Sequence, residues 1–145
     1  DVIPYIEKKF RVGKTKEMRA MAGLSMGSLQ TSITGFLHPE YFGSLGIFSG
    51  FVTDIIQGSP LDQAHTEKSK NEHLKILEDA EKFNHTFSVY FRAMGDVDPF
   101  WESFAHDDEM LQEKGIRQIR RVYQGSHDWN VWRMCIRDFA QLIFK

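Results

Sequence analysis

The sequence predicts an α/β fold built on a parallel sheet, and three observations support this. Short apolar segments of strand type alternate with longer segments of helical period along the 145 residues. The strand segments are nearly continuous apolar runs, as expected for strands covered on both faces. Glycine or proline punctuates most junctions between the two kinds of segment. Such alternation implies parallel pairing through right-handed crossovers. A chain of this length buries roughly 68–70% of its unfolded surface, so it needs neither a metal nor a disulfide to fold.

The elements follow in order. Residues 2–11 read as a helix: Ile3, Ile6 and Phe10 share a face, Asp1 is placed to cap it, Pro4 falls in its first turn and Gly13 ends it. Residues 18–24, MRAMAGL, suit a short buried strand. Leu29, Ile33 and Leu37 recur at every fourth position, which predicts a helix after Ser25 that stops at His38-Pro39. Residues 44–50, SLGIFSG, are a second buried strand, and residues 51–64, with Gly58, Ser59 and Pro60, read as a loop. Residues 66–83 predict a polar surface helix with Leu74, Leu77 and Phe83 along one stripe. Residues 86–94, TFSVYFRAM, are a third strand, and GDVD after it is a loop.

Pro99 opens a further helix that Gly115 closes. Residues 116–125, IRQIRRVYQG, are ambiguous. Ile116, Ile119 and Val122 stand three apart, which suits a helix, but the position between a helix stop and a glycine turn assigns them to a strand. Residues 129–144 carry Trp129, Trp132, Ile136, Phe139 and Ile143 at spacings of three and four, an amphipathic helix. The chain reads as one domain over residues 1–145.

Composition narrows the function classes. The net charge is −2 and no basic stripe is present, so nucleic acid is not an expected partner. No apolar run reaches roughly 18 residues, so no membrane-spanning helix is expected. The opening segment DVIPYIEKKF has no signal-peptide pattern. Cys135 is the single cysteine, which leaves no disulfide framework and predicts an inert core thiol. No histidine–carboxylate cluster has metal-ligand spacing, and no metal or cofactor is expected.

Gly23-Leu24-Ser25-Met26-Gly27 has the G-x-S-x-G form at a strand-to-helix junction. A sharp turn there projects the serine Oγ beyond the sheet, and a bulky side chain two residues to either side would collide with neighbouring backbone. The turn also aims the Met26 N–H at the place where an oxyanion would form. A nucleophilic serine needs a base. His65, His73 and His85 lie on or beside the polar helix and are expected to face water, and His38 ends a helix. His106 lies in HDDE, read as a solvated face. His127 follows the last strand in QGSHDW, and reactive groups in an open parallel sheet gather beyond the carboxyl ends of strands. For the acid that orients the imidazole, Asp96 and Asp98 both lie in the loop after the third strand. Asp128 adjoins His127 and is poorly placed to reach its Nδ1. Trp129 and Trp132 are read as core residues of the last helix that also stand beside His127, where they would line an acyl or aromatic pocket.

AGLSMGSLQT, FRAMGDVDPF and GSHDWNVWR together resemble the esterase branch of the α/β-hydrolase superfamily. That branch includes feruloyl esterases and acetylxylan esterases of carbohydrate esterase family 1, S-formylglutathione hydrolases, enterochelin esterases and mycolyltransferases. The resemblance runs from IPYIEKKF to the end and is strongest toward the feruloyl esterases. Ser126 stands where relatives often carry glycine. The resemblance implies Ser25 as nucleophile, His127 as base, and Asp98 rather than Asp96 as acid. It further implies a hydroxycinnamoyl (feruloyl) or acetyl ester of plant cell-wall polysaccharide as substrate, and a secreted or periplasmic location. The same triad would also serve an acyltransferase or another small-ester hydrolase, and the isolated piece would also serve as an inactive binding or scaffold fragment. By resemblance the chain is the C-terminal portion of the α/β-hydrolase fold, about four strands with flanking helices. The strand that bears Ser25 would then have a bare edge. It would seek a missing N-terminal half or a second copy of the chain.

Overall fold

The computed structural model describes residues 1–52 and 72–145. Its sheet has four parallel strands in the order β1-β2-β3-β4. They are β1 (Ala20–Leu24), β2 (Ser44–Phe48), β3 (Val89–Gly95) and β4 (Ile119–Tyr123). The helices are α1 (Val2–Lys9), α2 (Met26–Leu37), α3 (Ala80–Thr86), α4 (Trp101–Glu113) and α5 (Trp129–Ala140), with 3-10 turns at Lys16–Met18 and Glu72–Glu78. The α/β prediction therefore holds, and the ambiguous segment before Gly125 is a strand. Its register against β3, which pairs Phe91 with Ile119 and Gly95 with Tyr123, decides what its own periodicity left open.

Strands buried on both faces explain the apolar runs. On one face Leu45, Ile47 and Tyr90 pack with Phe36 of α2, Phe83 of α3 and Leu111 of α4. On the other, Phe48, Phe91 and Ala93 pack with Val131, Cys135 and Phe139 of α5. β2 and β3 are buried at every position. No helix among the described residues is long and apolar enough to cross a membrane.

Five expectations are corrected. β1 is not a buried strand: it is only partly covered and Ala22 is exposed, because among the described residues β2 is its one neighbour in the sheet. α1 buries none of its residues and Asp1 makes no side-chain cap, so the shared face of Ile3, Ile6 and Phe10 has no core to meet. The polar helix over 66–83 is not one helix. Residues 66–71 lie outside the described residues, and the remainder is the 3-10 turn followed by α3, which starts where the Asp79 carboxylate accepts from the Lys82 N–H. His73 is buried and its Nε2 lies 3.3 Å from the Val52 carbonyl, so it does not face water. HDDE is not a solvated face as a whole. His106 is exposed, but Asp107 is fully buried and pairs at 3.1 Å with the fully buried Arg92 of β3. The loop read over 51–64 falls mostly, and His65 wholly, outside the described residues.

Candidate active site

Ser25 directly follows β1. Its N–H donates to the Phe48 carbonyl at 3.0 Å, continuing the β1–β2 ladder by one residue. The chain then turns sharply into α2, and Ser25 takes φ 53° and ψ −124°. A non-glycine residue there costs about 1–3 kcal/mol and persists only where its surroundings enforce it. The enforcement comes partly from Gly23. A Cβ on Gly23 would lie 2.0 Å from the Gly27 carbonyl oxygen, so only glycine lets α2 start so close above the strand. Gly27 is different: a Cβ there meets nothing within 4 Å. The expected collision thus holds before the serine and not after it. Ser28 Oγ donates to the Ser25 carbonyl at 2.5 Å and steadies the turn. Met26 is the first residue of α2, and the opening N–H groups of a helix have no partner within it. Its side chain is exposed.

His127 and Asp98, the expected base and acid, lie on the loops after β4 and β3. His127 Nε2 lies 2.8 Å from Ser25 Oγ. His127 Nδ1 lies 3.0 Å from Asp98 Oδ2 and 3.2 Å from Oδ1. Asp98 is buried, and its Oδ1 also accepts the Phe100 N–H at 3.0 Å, which fixes the carboxylate plane. Among the described residues the only carboxylate at Nδ1 is that of Asp98, an arrangement that favours the tautomer with the proton on Nδ1 and the Nε2 lone pair facing the serine hydroxyl. Asp128 is the N-cap of α5, where its carboxylate accepts the Asn130 and Val131 N–H groups.

Two aromatic rings flank the imidazole, Phe100 at 5.2 Å and Trp132 at 5.1 Å between ring centroids, both edge-on. Trp132 in turn meets Trp129 edge-on. The expectation that both tryptophans are core residues is corrected for Trp129, which is 66% exposed. The two rings line a largely apolar trough between α5 and the sheet with Ala22, Leu24, Phe48, Arg133 and Ile136. Cys135 is buried on α5 in the cluster with Phe91 and Val131, and burial pushes its thiol up to about 12.

Sequence reasoning missed three contributors. Phe100 stands two residues after Asp98 and packs on His127. Asp96 does not touch His127; its Oδ1 accepts the Gly125 N–H at 2.9 Å. Asp107, fixed by Arg92, accepts the Val52 N–H at 2.5 Å and so anchors the segment after β2, in which Phe51 packs on Phe100. Only Gly95 at the end of β3 and Gly125 just after β4 hinted at these contacts, since they mark where two loops approach closely.

A parallel sheet with a strained serine turn after one strand and acid and base loops after two others is the architecture of the α/β-hydrolases. The chain belongs to the esterase family, whose model, described as "Putative esterase", matches residues 1–138. It is 29% identical over 146 residues to an endo-1,4-beta-xylanase/feruloyl esterase of Xylanibacter ruminicola, a match covering 100% of this chain and 17% of that protein. It is 21% identical over 163 residues to an acetyl esterase of Caldicellulosiruptor saccharolyticus, covering 100% of this chain and 61% of that protein. A solved ferulic acid esterase superposes with a TM-score of 0.78 at 24% identity, over 99% of this chain and 58% of that one. The chain thus spans less than two thirds of each of these proteins.

Proposed function

We propose that this chain carries the catalytic triad of a serine carboxylesterase, with Ser25 as nucleophile, His127 as base and Asp98 as acid. The observation that carries the reading is the unbroken hydrogen-bond chain from Ser25 Oγ through His127 to a buried Asp98, set on a strained turn. His127 Nε2 takes the Oγ proton as Oγ attacks the ester carbonyl. The imidazolium that forms is stabilised by Asp98. The Met26 N–H donates to the oxyanion, and a second donor comes from polypeptide outside this chain. His127 then protonates the leaving alcohol, and water cleaves the acyl-enzyme by the same steps reversed.

The substrate class in this proposal is a hydroxycinnamoyl (feruloyl) or acetyl ester on plant cell-wall polysaccharide. The names of the two relatives support it, and a secreted or periplasmic location goes with such a substrate. Trp132, edge-on to His127, and Trp129 supply an apolar wall for the acyl group. The free edge of β1 pairs with further polypeptide, of the same protein or of a second copy, as its partial exposure and the coverage of relatives suggest.

A fluorophosphonate probe tests the reading alongside hydrolysis of methyl ferulate and p-nitrophenyl acetate, each with and without an acceptor alcohol. Wild-type protein labels at Ser25, and Ser25→Ala abolishes labelling and lowers turnover by about 10⁶-fold. Absence of labelling at Ser25, both in this chain and in a longer protein that contains it, overturns the esterase reading. Transfer to the alcohol in preference to water would make the enzyme an acyltransferase.

A further inference from the structure

We propose that Asp96 is a positioning residue that sets where His127 stands, acting through the peptide group of Gly125. The inference rests on the triad reading above. Asp96 lies just beyond the β3–β4 ladder, and its N–H extends that ladder by donating to the Tyr123 carbonyl at 2.9 Å. Its side-chain Oδ1 then accepts the Gly125 N–H at 2.9 Å, and the Val97 N–H donates to the Gly125 carbonyl at 3.1 Å. Both polar groups of Gly125 are therefore held by the loop that carries Asp98. Gly125 sits two residues before His127 at φ 136°, a conformation that only glycine adopts freely.

The fit leaves little room. A Cβ on Gly95 would fall 2.2 Å from the Gly125 carbonyl oxygen, and one on Gly125 would fall 2.8 Å from Val131 Cγ2. Translation of the His127 loop is thus blocked by packing, and the remaining freedom is rotation of the peptide at its glycine. The Asp96 carboxylate fixes that rotation. Ser126 Oγ adds a smaller brace by donating to the Val97 carbonyl at 3.1 Å. Rotation at Gly125 moves the imidazole relative to Ser25 Oγ, and a displacement of about 1 Å in such a site costs up to about 10²-fold in rate. What the position requires is an acceptor oxygen and not a negative charge.

Three variants separate these terms. Asp96→Ala and Asp96→Leu lack the acceptor and are expected to lower kcat about tenfold or more, with KM within about twofold. Asp96→Asn keeps an oxygen in the same place and is expected to recover most of that loss without moving the acidic limb of the kcat/KM pH profile. Exchange of the Gly125 amide, followed by NMR, accelerates about tenfold in the first two variants and returns in Asp96→Asn. The amide readout does not depend on activity. Failure to label Ser25 both in this chain and in a longer protein that contains it sinks the triad reading, while the Gly125 amide still decides whether Asp96 holds the loop. The positioning role is overturned by Asp96→Asn behaving like Asp96→Ala, by unchanged kcat in Asp96→Ala, by unchanged Gly125 exchange, or by failure of both acceptor-free variants to fold.

Discussion

The loops that carry Asp98 and His127 lean on each other, whereas the turn that carries Ser25 leans on a strand with one free edge. Between the first two loops run the Asp96–Tyr123, Asp96–Gly125, Val97–Gly125 and Ser126–Val97 hydrogen bonds, and the His127–Asp98 pair itself. They stand above β3, which is buried at every position, and above the tight cluster of Phe91, Ala93, Val131 and Cys135. β1 pairs only with β2 among the described residues, and its middle residue is exposed. The difference teaches that the half of the site built by the Asp98 and His127 loops, the proposed acid–base half, is self-supporting. The Ser25 turn keeps its geometry by local backbone fit at Gly23, the Ser28 Oγ bond to the Ser25 carbonyl and one ladder bond to Phe48.

Four measurements would break or sharpen this contrast. The largest effect is expected at Asp98. Asp98→Asn keeps the shape of the acid but removes its charge and its hold on the imidazole tautomer. Turnover should fall by about 10⁴-fold while the fold, followed by circular dichroism, is retained. A loss below tenfold would move the acid elsewhere.

Next comes the closure of the acid–base half around Cys135. Burial raises its thiol from 9.0 to about 12, so at pH 8 the native thiolate is depleted about 10³-fold relative to an exposed cysteine. A disulfide exchange reagent should therefore react at least that much more slowly with native than with urea-unfolded protein. Fast native reaction would show that this half opens in the isolated chain.

The two glycines of the serine turn give the third test. Gly23→Ala drives a Cβ to 2.0 Å from backbone and should cost about 3 kcal/mol or more in urea unfolding. Gly27→Ala meets open space within a helix and should change stability by less than about 1 kcal/mol, in the stabilising direction. Equal costs at the two positions would refute the one-sided fit. The smallest effect is expected in amide exchange. Amides of β1 should exchange at least about tenfold faster than those of β3 in this chain. Equal protection would mean that the β1 edge is covered, by a second copy or by a packing not seen here.

Much of the fold was legible in the sequence because its signals are local. The apolar runs of β2 and β3, the fourfold spacing of Leu29, Ile33 and Leu37, and Gly115 at φ 72° are each set by a few adjacent residues. The reading went wrong where a neighbour decides the outcome. MRAMAGL has the composition of a buried strand, but burial depends on a second strand beside it. HDDE looks solvated until Arg92, fifteen positions earlier, is found fully buried against Asp107.

By itself the sequence determined the alternating elements, the glycine before the serine that permits the strained turn, and the order in which serine, acid and base occur. These follow from side-chain volume, backbone freedom and period, which are properties of short segments. The residues alone left Asp96 and Asp98 open and only the resemblance implied Asp98; the tertiary structure is what brings Asp98 to His127 and has Asp96 hold Gly125 instead. Those assignments depend on the register of β3 against β4, which aligns Gly95 with Tyr123 and brings loops 29 residues apart to within 3.2 Å. Register is a property of two strands together, and no single stretch of chain encodes it.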